Sequence, residues 1–134
     1  MSHLACLVDE LETERRLLDQ LARVLLSLRE GISSDDLASI DESVFGAQRI
    51  LRTLQEARRR RRTLLRLLGV DQETELRDLD GALGPRMTQE LRASRDELVQ
   101  AATRLSRELT ANRKVIDGAL EAGDRPVRAV TRSP

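Results

Sequence analysis

The sequence predicts an all-α fold: an elongated antiparallel three-helix bundle or coiled coil with a short extra helix between helices 2 and 3. Three observations predict it. Apolar residues recur at alternating steps of three and four in three stretches. These are Leu4, Leu7, Leu11, Leu18, Leu21, Leu25 and Leu28, with Glu14 the polar exception; Leu37, Ile40, Val44, Ala47, Leu51 and Leu54; and Leu91, Leu98, Leu105, Leu109 and Ile116. A side chain recurring every 3.5 residues keeps one seam of an α-helix turned toward a partner helix. The breaks between the stretches carry residues that stop and start helices. Finally, 34% of the residues are charged, which suits long helices with one wet face.

Each element follows in order. The first helix is expected from Leu4 to Glu30, with Gly31 ending it in the left-handed conformation that glycine adopts without a Cβ penalty. Ser33, Ser34, Asp35 and Asp36 then read as a new N-cap with acids in the first turn. The second helix is expected from Asp35 to Leu68, with Gly69 just past its end. A linker this short folds the two helices into an antiparallel hairpin. Asp71 is placed to cap a short helix carrying Leu76, Leu79 and Leu83, broken by Gly81, Gly84 and Pro85. Pro85 suits the first turn of a third helix, expected from Arg86 to Ala122. Residues 1–122 therefore form one domain, and the polar, aperiodic stretch 123–134 is expected to be a disordered tail. The second and third helices would outreach the first, leaving part of their surface without a third partner.

The formal net charge is zero, yet the charge is blocked. Arg49 to Arg66 holds eight arginines and one glutamate; Asp71 to Asp80 holds five acids and one arginine. The two blocks adjoin across a turn and are expected to neutralise each other in part. The run Arg58 to Arg62 reads as a solvated helix face, partly paired with Asp9, Glu10, Glu12 and Glu14 of the first helix. Five consecutive helical residues point in every direction, so no flat basic face is expected. Arg58 and Arg61 continue the seam, along which their stems can snorkel. With Phe45 the single aromatic residue, the chain lacks stacking platforms for single-stranded nucleic acid.

Catalytic constellations are missing. His3 is the single histidine and sits at the start; Cys6 is the single cysteine and lies beside the apolar seam with no histidine to activate it. No phosphate-binding or dinucleotide glycine motif and no Glu-x-x-His pair is present. The expectation is a non-enzyme without metal or cofactor. One cysteine gives no disulfide framework and fits a reducing cytoplasm. No apolar run approaches a membrane span, and Met1 to Glu12 turns acidic at once, unlike a signal peptide.

Asn112 occupies the third seam. A polar seam residue fixes register, or it lies exposed where the bundle has ended. The stripe Leu105, Leu109, Ile116 and Leu120 is either ordinary bundle core or a groove for a partner helix.

Taken together, these residues resemble the FlgN-like flagellar export chaperones. The likeness rests on Leu11-Glu12-Thr13-Glu14-Arg15-Arg16-Leu17-Leu18 in the first helix and the arginine-rich end of the second, closing in Leu64-Leu65-Arg66-Leu67-Leu68-Gly69. It continues through a spacer with Leu76, Leu79 and Leu83, a proline, and a third helix with Leu91, Arg95, Leu98, Leu105 and Asn112. The resemblance implies a small cytoplasmic chaperone. Such a protein binds the C-terminal helices of hook–filament junction proteins, holds them unassembled and delivers them to the flagellar export apparatus. It also implies partner binding by the third helix, carried here onto Leu105, Leu109, Asn112, Ile116 and Leu120. The chain has no tyrosine, so it lacks the one that such chaperones can use near the C-terminal helix to dock on the export gate. The alternatives are a generic coiled-coil adaptor or homodimer, and an anion binder acting through Arg58 to Arg62.

Overall fold

A computed structural model describes the backbone of residues 2–132 and the side chains of residues 2–121. The expectation for a tail from 123 to 134 lies outside the residues described in full.

Helix α1 (His3–Ser33) starts where Ser2 accepts a hydrogen bond from the Ala5 N–H at 3.1 Å, a side-chain N-cap. It runs through Gly31 instead of ending there. The left-handed residue is Asp35 (φ 56°). Its N–H donates to the Ile32 carbonyl, and the Asp36 N–H to that of Gly31, the paired bonds of a Schellman motif. Gly31 has a different use. It is buried, and a Cβ there would lie 3.2 Å from Cγ1 of Ile40. The glycine permits close approach of the second helix.

Helix α2 (Leu37–Leu67) is capped by Asp36, whose carboxylate accepts from the Ser39 N–H at 3.2 Å. It ends as the sequence implies. Gly69 has φ 74°, its N–H donates to the Arg66 carbonyl, and the Val70 N–H donates to that of Leu65. The connector departs from expectation. Asp71 accepts from the Glu73 N–H at 2.9 Å and so shapes a local turn. A 3₁₀ turn (Leu76–Asp78) then leads into α3 (Leu79–Leu83). Pro85 lies in another 3₁₀ turn (Gly84–Arg86), and α4 (Gln89–Arg132) starts later than Arg86. Its cap is Thr88, whose hydroxyl accepts from the Leu91 N–H at 3.1 Å.

Helix α1 is the centre of the bundle. α2 packs along it antiparallel, α4 packs along it in the same direction, and α2 and α4 do not pack along each other. The connector closes the lower end. Leu79 and Leu83 are buried there, and Arg95 ties α4 down by donating to the Leu76 carbonyl at 3.1 Å and pairing with Asp80 at 3.5 Å. The contiguous buried cluster occupies this lower half, extending upward to Leu18, Leu54 and Ala101. Leu21 and Leu25 are buried but lie outside it.

One expectation about packing needs correcting in part. α1 and α2 are equal in length, 31 residues each, so α2 does not outreach α1, whereas α4, at 44 residues, does as expected; the opening in the bundle also comes from the separation of α2 and α4. The two charged blocks meet at one cleft, where Arg58, Arg61 and Arg62 lie beside Glu73 and Glu75. Among the described residues no ion pair joins Arg49–Arg66 to Asp71–Asp80. The α2 arginines pair with Glu10 and Glu14 of α1, while Asp80 pairs with Arg92 and Arg95 of α4.

Candidate partner-binding site

The second seam faces differently from what its leucines suggest. Ala47 and Leu54 do turn toward α1, but the stripe beside them that completes the contact is Ser43, Ile50, Ala57 and Leu64, buried or half-buried. The more apolar neighbouring stripe, Leu37, Val44 and Leu51, is exposed, Leu37 by 72%. The cause is distance. Small residues let α2 lie close on α1, where a Cβ on Gly46 would already touch Val24 at 3.7 Å. The larger side chains are left on the flank.

Helix α4 repeats the arrangement. Leu91, Leu98 and Leu105 turn inward together with the small stripe Ser94 and Ala101. Leu109 and Ile116 lie on the other flank, with Leu109 49% exposed. Leu120, farther along, is exposed as well.

These two flanks face one groove. In the lower half a cleft of about 300 Å³ is lined by Glu14 and Leu18 of α1, Arg58 and Leu54 of α2, and Leu98 and Ala102 of α4, with Gln72 to Leu76 beside it. Counting by sevens, one heptad stripe, from Arg58 leads upward through Leu51 and Val44 to Leu37. From Ala102 the same count leads through Leu109 to Ile116. The levels match too. Arg104 pairs with Asp19 at 3.0 Å, Asn112 bonds to Leu25, and Gly46 faces Val24. Two exposed apolar stripes therefore flank Leu21 and Leu25 just above the end of the core. Leu37 to Leu51 spans about 21 Å at 1.5 Å per residue.

The groove has a polar stop at its lower end. Glu14 is 1% exposed. Arg61 donates to it at 3.0 Å, and the Arg58 Nε is 3.8 Å away. Burial raises the Glu14 carboxyl above its ordinary value and outweighs the opposing pull of Arg61 and Arg58. Burial also lowers the Arg61 guanidinium. The upper part is held by Asn112, 3% exposed. Its amide donates to the Leu25 carbonyl at 2.8 Å and its oxygen accepts from Arg29 at 2.8 Å, while Arg29 pairs with Glu108 at 2.8 Å. Of the two roles open to Asn112, the structure shows the one that fixes register.

The five expected residues thus fall into two groups. Leu109, Ile116 and Leu120 are exposed, whereas Leu105 is half-buried against the core and Asn112 is bonded to α1. Sequence reasoning missed the opposite wall, Leu37, Val44 and Leu51. Their exposure shows only once Ser43 and Ala57 are known to take the contact. Among the described residues, no helix is long and apolar enough to cross a membrane.

The three long helices form an open all-α scaffold with exposed apolar flanks on α2 and α4. The family model for the FlgN protein matches residues 1–134, the whole chain. The chain belongs to the FlgN family and is a flagellar export chaperone. No curated protein and no solved structure matches it.

Proposed function

We propose that the chain binds the C-terminal amphipathic helix of a hook–filament junction protein in the groove between α2 and α4 and keeps it unassembled for export. The supporting observation is the pair of facing apolar flanks above the core. Leu109, Ile116 and Leu120 form one wall, and Leu37, Val44 and Leu51 the other. Leu105 marks the inner end, and Asn112 holds α4 in place. An inserted helix would complete a four-helix arrangement through apolar contacts. No bond is made or broken, so the role needs only affinity and reversible release.

Titration calorimetry with the C-terminal segment of a junction protein tests this reading. One-to-one binding at micromolar concentration is expected. Absence of heat at that concentration would refute it, and a stable homodimer seen by light scattering without client would favour a second copy in the groove.

A further inference from the structure

Helix α2 carries a second surface on the side directly opposite α1, and it arises from how the arginine run is divided. Arg58 and Arg61 turn toward Glu14, and Arg60 donates to Glu10 at 2.7 Å. Arg62 lines the lower cleft of the groove with Arg58 and Arg61, and Arg59 is exposed on the outer side. Arg59 then falls on a heptad stripe with Arg52 and Arg66, and Arg49 lies beside it. All four are exposed, and none pairs with an acid among the described residues. Phe45 continues the stripe upward, seven residues before Arg52, and is 67% exposed. From Ser43 to Leu67 the helix holds a single acid, Glu56.

We propose that Phe45, Arg52, Arg59 and Arg66, flanked by Arg49, form a docking surface for an acidic helical face of a second protein, engaged while the groove holds its client. This surface is independent of the groove reading, because it lies on the opposite side of α2 from the α1 contact. It spans about 31 Å from Phe45 to Arg66. Exposed arginines and an aromatic anchor are the side chains enriched in protein interfaces. Carboxylates at helical spacing match planar guanidinium groups. A nucleic acid fits less well, since the formal net charge is zero and no tryptophan or tyrosine offers stacking. An anionic membrane also fits less well, because one phenylalanine at the end of a basic stripe gives no apolar face to sit in the interface.

The test measures binding of the full chain to three probes at low salt. They are a helical peptide with a glutamate every seven residues and an apolar residue at one end, a short DNA duplex, and vesicles containing phosphatidylglycerol. The peptide is expected to bind best, with affinity falling as salt rises. Arg52→Glu/Arg59→Glu/Arg66→Glu should weaken it at least about tenfold. Arg52→Gln/Arg59→Gln/Arg66→Gln should weaken it less, and both variants should keep wild-type circular dichroism because the side chains are exposed. Leu109→Asp/Ile116→Asp should leave peptide affinity unchanged. The proposal is overturned by undiminished peptide binding in the triple glutamate variant, by a flat salt response, by tighter binding of the duplex or the vesicles, or by loss of peptide binding in the groove variant.

Discussion

Asn112 donates its side-chain amide to the backbone carbonyl of Leu25 across 2.8 Å, joining residues 87 positions apart. The bond sits above the end of the contiguous core. A polar contact holds α4 against α1 where little apolar packing remains to do so. Register is therefore set independently of whatever fills the groove.

Asn112→Ala should destabilise the chain by about 1–3 kcal/mol, since it leaves Arg29 short of an acceptor in a partly buried setting. Urea unfolding measures this. An unchanged midpoint would mean that Arg29 is satisfied by Glu108 alone.

The buried pair Glu14–Arg61 should behave asymmetrically. Arg61→Met alone strands a carboxylate that is 1% exposed and should destabilise by roughly 3–5 kcal/mol. Glu14→Leu/Arg61→Met should recover most of that loss, because desolvation of both charges disappears. A double-mutant cycle under denaturant decides it.

The pH dependence has a definite sign. The folded pKa of Glu14 is raised above 4.5 by burial, so the folded state holds the proton more tightly than the unfolded one. The stabilising contribution of this group is fully present below pH 4.5 and is lost as pH rises through the elevated folded value. Subtracting the stability profile of Glu14→Gln from that of wild type isolates the term. A difference that instead grows with rising pH would contradict the assignment.

The turn between α1 and α2 has room for improvement. Asp35 holds φ 56°, where a Cβ is unfavourable, and Asp35→Gly should stabilise by about 1 kcal/mol. Gly69→Ala, at φ 74°, should cost about the same. Thermal melts report both, with opposite shifts in Tm.

Much of this structure was legible in the sequence. The three long helices, the left-handed Gly69 and the inward reach of Arg58 and Arg61 all follow from local rules. The facing of α2 and α4 does not. Hydrophobic periodicity selects Leu37–Val44–Leu51, whereas the packing turns inward the adjoining stripe Ser43–Ile50–Ala57–Leu64, in which Ser43 and Ala57 are small. The two stripes adjoin and share Ala47 and Leu54 as neighbours, so periodicity alone cannot separate them. In α4 the sequence left Leu109 and Ile116 open between bundle core and a partner groove, and both are exposed on the flank beside Ser94 and Ala101. Gly31 misled for a related reason, because a glycine near a helix end serves close approach as readily as termination. The division of the arginine run depended on where Glu10 and Glu14 lie in space, which only the α1–α2 register reveals.

The central claim is that the groove has two walls, one on each flanking helix. Calorimetry of a junction-protein C-terminal helix against Val44→Asp/Leu51→Asp and against Leu109→Asp/Ile116→Asp tests it most directly. All four side chains are at least partly exposed, so helicity should survive in both variants. The account predicts that each pair weakens binding at least about tenfold. Wild-type affinity in the α2 variant, with loss confined to the α4 variant, would contradict it.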